Sequence, residues 1–99
     1  MSYVIFKIKS EDAGKINTII KDDLVSRQSI LTRDSSSLNI DGNFLFLKIE
    51  GSEEGLKKAT DIAKELEINK LDKKDAEEVN NKIAEQEDSA ASGMGMIFD

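Results

Sequence analysis

The chain contains no cysteine, no histidine and no tryptophan, and a single tyrosine. Without cysteine there can be no disulfide, thiol nucleophile or thiolate metal site. Without histidine the commonest general base and the imidazole metal ligand are missing. Ser29, Ser35, Ser36 and Ser37 therefore have no imidazole to activate them, and no spacing sets one of them beside Lys7 or Lys48. Asp22-Asp23 and Asp72/Asp75 lack the spaced oxygen ligands and closing bidentate Glu of a calcium loop. They read as a solvated helix end and a helix cap. We expect no catalytic residue, no cofactor and no metal, and hence no enzyme acting alone.

Long hydrophobic runs are also lacking. Nothing approaches the roughly 20 apolar residues of a membrane span. The start, Met-Ser-Tyr-Val-Ile-Phe, passes directly into a strand pattern without a basic region and apolar core. A cytoplasmic protein without membrane contact is the expectation. Basic excess is absent too: the net charge is −6. Residues 1–50 are balanced, so the acidity belongs to residues 51–99. Strong nucleic-acid binding rests on Lys and Arg neutralising phosphates, so contact with nucleic acid is expected to be indirect at most.

The 99 residues suit one domain, and 38% hydrophobic against 34% charged residues implies a small core under a solvated surface. The organising stretch is 35–49. Asp41-Gly42 separates two strand-like runs, the signature of a two-residue type I′ hairpin. That turn would set Leu38 opposite Leu45 and Ser36 opposite Leu47. Leu38, Ile40, Leu45, Leu47 and Ile49 would then share one face, with Phe44 and Phe46 on the other. Tyr3 to Lys9 reads as a first strand. Ser10 reads as the N-cap of a helix through Ile16 and Ile20 to about Leu24. Ser52 caps a second helix whose stripe includes Leu56, Ala59, Ile62, Ala63 and Leu66. Asp72 caps a third, whose thin stripe is Ala76, Val79, Ile83 and Ala84. Residues 89–99 read as a flexible tail with an apolar end.

These readings predict an α+β fold: a two-layer β-α-β-β-α domain over 1–68 with a three-stranded sheet of order 2-3-1. An accessory helix over 69–88 and the tail follow. Helices on one face would leave Tyr3, Ile5, Phe44 and Phe46 on the other. An apolar patch of that kind marks an interface, and we expect those four residues to form a sheet-to-sheet dimer, with a second copy or a related chain.

The segments Phe6-x-Ile8 with Ser10-Glu11-Asp12-Ala13, Ile30 to Leu38 leading to Asp41-Gly42, Phe44-Leu45-Phe46-Leu47-Lys48-Ile49, and Leu56 with Ala59 carry a resemblance. Across residues 3–66 they resemble the small Pcc-type subunits of the KEOPS complex. The resemblance implies a non-catalytic subunit that pairs through its sheet. Its helices would dock on the Kae-type enzyme that installs threonylcarbamoyladenosine in tRNA. It places Ile16, Ile20, Leu56 and Ala63 on the docking helices. Glu53-Glu54-Gly55-Leu56-Lys57-Lys58 departs from the Arg-rich second helix of that family.

The end, Gly-Met-Gly-Met-Ile-Phe-Asp after acidic and Ala-rich sequence, is similar to the C-termini of archaeal and eukaryotic ribosomal stalk proteins. That likeness implies an adaptor gripping a translation factor through Met94, Met96, Ile97 and Phe98. A KH-like RNA-binding module is a further alternative.

Overall fold

A computed structural model describes residues 2–98, with side chains described from 2 to 86. Four strands, β1 (Ser2–Lys9), β2 (Ser29–Asp34), β3 (Phe44–Gly51) and β4 (Asn69–Lys70), form one antiparallel sheet. Its order is β2-β3-β1-β4. Three α-helices are present: α1 (Gly14–Ile20), α2 (Glu53–Glu65) and α3 (Lys73–Phe98).

The architecture is mixed α+β, as expected. The sheet differs from the expected three strands because β4 adds a fourth beside β1. Asn69 and Lys70 show neither alternation nor β-branching, so no periodicity announces them. They pair with Phe6 and Lys7, and the Leu71 N–H donates to the Ile5 carbonyl at 2.9 Å.

The expected hairpin is also different. β2 ends at Asp34, opposite Leu45, and the connection runs from Ser35 to Asn43. Ser35 closes it: its N–H donates to the Phe44 carbonyl (2.8 Å), and its buried hydroxyl donates to the Gly42 carbonyl (2.6 Å) and accepts from the Phe44 N–H (3.2 Å). The Asp34 carboxylate accepts from the Ser37 N–H and Ser36 hydroxyl, which winds Ser36–Leu38 into a 3₁₀ turn. These hydrogen bonds hold the Asp34 carboxyl below its usual pKa. Asn39 and Gly42 take the positive φ values, 58° and 105°, and Asp41 does not. The loop therefore carries Leu38 and Ile40 to the Phe44/Phe46 face, not to the Leu45/Leu47 face.

The first face is a compact core. Val4, Phe6 and Ile8 of β1 and Leu47 and Ile49 of β3 are covered by Ile16 and Ile19 of α1, Val25, and Leu56, Ala59 and Ala63 of α2. The α1 helix stops at Ile20 because the Asp22 carboxylate accepts from the Leu24 and Val25 N–H groups and starts a separate 3₁₀ turn. Ser10 caps no helix with its side chain; it opens a 3₁₀ turn instead.

At the start of α2 the Ser52 hydroxyl accepts from the Gly55 N–H. A capping box would have the third helical residue reach back to the cap's own N–H. Gly55 has no side chain to do so. Gln28 supplies the acceptor from outside the helix, its Oε1 2.9 Å from the Ser52 nitrogen, while its amide donates to the Leu24 carbonyl. The Gln28 side chain lies where a Cβ on Gly55 would be, so Gly55 leaves room for this substitute cap.

At the end of α2, Glu67 adopts φ 58°. The Glu67 N–H donates to the Lys64 carbonyl and the Ile68 N–H to the Ala63 carbonyl. This is a Schellman closure with glutamate in the position glycine favours. Glu67→Gly is expected to stabilise the fold by about 1 kcal/mol, read as a raised urea midpoint with unchanged slope.

Candidate functional site

The second sheet face follows from the strand register. Tyr3 lies opposite Glu50, Ile5 opposite Lys48, Lys7 opposite Phe46 and Lys9 opposite Phe44. On the other side of β3, Leu31 faces Lys48 and Arg33 faces Phe46. Each apolar residue thus has a cation directly across the ladder, except Tyr3, which meets an acid. The Lys7 ammonium sits 4.1 Å from the Phe44 ring centroid, and that of Lys48 is 5.3 Å from Tyr3. Such stems cover rings while their charges stay in water. The expected patch of Tyr3, Ile5, Phe44 and Phe46 is a mixture of rings and cations. Strand parity carried that information, because Lys7 shares a face with Ile5, and Lys48 with Phe46.

The face is also covered, contrary to expectation. Asp72 caps α3, its carboxylate accepting from the Asp75 N–H at 2.8 Å. Ala76, Val79 and Ile83 of α3 pack with Ile5, Leu38 and Phe46. Ile5 is 0% and Phe46 2% exposed. Tyr3 and Phe44 remain half-buried at the rim. Gln86 fastens the helix further along, accepting from Arg33 Nε at 3.0 Å and donating to the Ser37 carbonyl at 3.1 Å. The molecule is thus three-layered rather than two-layered. Ala84, counted in the stripe, is exposed.

The cover is thin. Two open grooves, about 380 and 250 Å³, flank Leu71. The larger is lined by Tyr3, Ile5, Lys70, Lys73, Ala76 and Glu77. The smaller brings Lys7 and Lys82 together with Asp75 and Glu78 beside Phe46 and Val79. The ion pairs Lys15–Asp12 and Arg27–Asp23 lie remote from this face.

The residues expected on docking helices lie on α1 and α2. Ile16, Leu56 and Ala63 are buried against the sheet and Ile20 packs at their margin. An amphipathic helix spends its apolar stripe on its own core first. The solvent-facing sides of α1 and α2 carry polar residues, among them Asn17, Lys57, Asp61 and Lys64. The tail residues Met94, Met96, Ile97 and Phe98 lie outside the described side chains. Among the described residues, no cluster of His, Cys, Asp or Glu converges as a metal site, and no helix is long and apolar enough to cross a membrane. No protein-family model, curated protein or solved structure matches the chain.

Ile83 and Phe46 test whether the cover holds in solution. Ile83→Ala is expected to cost about 2–5 kcal/mol and Phe46→Ala about 3–5 kcal/mol in denaturant unfolding of the monomer. An undocked α3 would make the Ile83 change close to neutral.

Tyr3 reports on the same surface. Burial, then Glu77 and Glu50, push its phenol above its ordinary pKa. The folded state therefore holds the phenolic proton more tightly than the unfolded chain. The associated stability is complete below about pH 10 and drains as pH rises through the folded value. Because Tyr3 is the sole tyrosine, a phenolate absorbance titration should show one late transition, and Glu77→Gln should move it earlier.

Proposed function

We propose that the chain is a non-catalytic, dimerising or scaffolding subunit of a KEOPS-like assembly that makes threonylcarbamoyladenosine in tRNA. In this reading it acts by protein–protein contact. The observation that carries it is the second sheet face. It holds Ile5 and Phe46 under a helix that contributes only Ala76, Val79 and Ile83 among its described residues, with Tyr3 and Phe44 half-covered at the rim. Burying Val or Ile is worth about 1.5–3 kcal/mol each, so this cover is held much less firmly than the first face. A partner presenting a broader apolar surface could replace it at modest cost. The β-α-β-β-α order across 3–66 and the lack of histidine and cysteine support the same reading.

In this proposal α3 occupies the pairing face until a partner arrives. The acidic excess of residues 51–99 keeps tRNA on the enzyme subunit, not on this chain. The test is co-elution with a Kae-type enzyme, followed by hydrogen exchange on the complex. Co-elution is expected, and pairing should speed exchange of the α3 amides around Val79 while the amides of β3 stay protected. Failure to co-elute at micromolar concentrations would remove the tRNA-modification assignment.

A further inference from the structure

Asp41-Gly42 is the one Asp-Gly step in the chain, and no Asn-Gly step occurs. It lies within the 35–43 connection, and both residues are exposed. Among the described residues neither the Asp41 carboxylate nor the Gly42 N–H has a hydrogen-bond partner. Glycine puts no side chain beside its own nitrogen.

Such a pair can close on itself. The Gly42 nitrogen attacks Asp41 Cγ, and the N–Cγ bond forms as a Cγ–O bond breaks. The amide proton leaves with that oxygen and one solvent proton as water. Water then adds to the former main-chain carbonyl carbon of Asp41, whose bond to the Gly42 nitrogen breaks as the nitrogen regains a proton. The chain now runs through Cβ and Cγ, an isoaspartyl linkage, and the old carbonyl has become a carboxylate. One water leaves and one returns, so no oxidant or reductant is needed.

Elsewhere the fold withholds this reaction. At Asp34-Ser35, Ser35 is buried and its N–H donates to the Phe44 carbonyl at 2.8 Å. The Asp34 carboxylate is held by the Ser36 hydroxyl and the Ser37 N–H. The N–H groups following Asp12 and Asp75 are bonded too, to the Ser10 and Asp72 carbonyls.

The loop around Asp41 is fitted to its present length. Ser35 closes it on both sides: its carbonyl accepts from the Ile40 N–H at 2.9 Å, and its hydroxyl donates to the Gly42 carbonyl at 2.6 Å. Only Asp41 lies between. An isoaspartyl linkage adds one carbon–carbon bond there, about 1.5 Å of main chain. Hydrogen bonds do not stretch by that amount, so one of the two opens. The same loop carries Leu38 and Ile40 onto the second face, and its Ser37 carbonyl accepts from Gln86 of α3. The first core takes no residue from 35–43.

We propose that Asp41 is a site of isoaspartate formation, and that this change loosens α3 from the second sheet face while the first core stays closed. The displaced carboxylate makes the modified chain a substrate for an isoaspartyl methyltransferase. A methyl group passes from the sulfonium of S-adenosylmethionine to a carboxylate oxygen, and the sulfonium becomes a thioether.

The test holds the full chain at neutral pH and body temperature for several weeks. It is then treated with such a methyltransferase and labelled S-adenosylmethionine, and digested to locate the label. Label is expected on the peptide holding 41–42, which should also split into two species of equal mass. Asp41→Glu keeps the carboxylate but cannot close the five-membered ring, and should stay unlabelled there. In the separated modified fraction, amide exchange should be about tenfold faster at Val79 and Ile83, with Leu47 and Ile49 unchanged. Absence of label at 41, or label at Asp34 as fast as at Asp41, overturns the proposal. Unchanged exchange in α3 overturns the loosening, as does equally faster exchange in β3, because the chain would then be unfolding as a whole.

Discussion

The register of β1 on β3 is the constraint from which the rest of the molecule follows. Val4 against Ile49, Phe6 against Leu47 and Ile8 against Leu45 make one face continuously apolar. The alternate positions then have no freedom. They place Lys7 opposite Phe46, Lys48 opposite Ile5 and Glu50 opposite Tyr3. A slip of one residue would exchange the faces and bury three lysines, which costs several kcal/mol per unpaired charge. The first face thus fixes the second, and the second is left amphipathic by necessity.

An amphipathic face tolerates a light cover. The aliphatic stems of Lys7 and Lys48 already shield parts of Phe44 and Tyr3, so less apolar area remains for a helix to remove from water. Ala76, Val79 and Ile83 suffice for Ile5 and Phe46, and the Arg33–Gln86–Ser37 bridge sets the direction of the helix beyond them. Larger residues at those positions would strip water from the lysines beside them. The thinness of the α3 stripe therefore matches the surface beneath it.

Much of this was legible in the residues. The strands β1 and β3, both long helices, the Ser52 and Asp72 caps and the antiparallel placement of β3 follow from alternation, helical spacing and capping chemistry. The failures share a cause: bonds between residues apart in sequence decided what local signals misstated or left silent. Asp41-Gly42 looked like a two-residue turn, yet the Ser35 hydroxyl bridging Gly42 and Phe44 holds a broader loop open. Gly55 at the start of α2 carried no sign that Gln28 would complete its cap. Asn69-Lys70 has no strand propensity, and it pairs because Ile68 is anchored in the first core and Leu71 bonds to Ile5. The helices α1 and α2 carry Ile16, Ile20, Leu56 and Ala63 as their spacing implied. Apolar spacing reveals which side of a helix is buried without saying what buries it, and in so short a chain the nearest sheet has first claim on Ile16, Leu56 and Ala63.

The unequal covers give the molecule a preferred order of opening. Ile19, Val25, Leu47, Ile49 and Ala59 are fully enclosed, tied by two helices and by the Gln28 and Schellman closures at both ends of α2. Separating that layer exposes the central hydrophobic cluster and is equivalent to unfolding. Lifting α3 exposes chiefly Ile5, Leu38 and Phe46 and breaks the Gln86 bridge, while every ladder of the sheet remains intact. The lysines and Arg33 on that face keep it hydrated once uncovered, which opposes non-specific clumping. The low-energy fluctuation of this fold is therefore departure of one helix from an intact four-stranded sheet, and the surface it uncovers mixes apolar rings with cations.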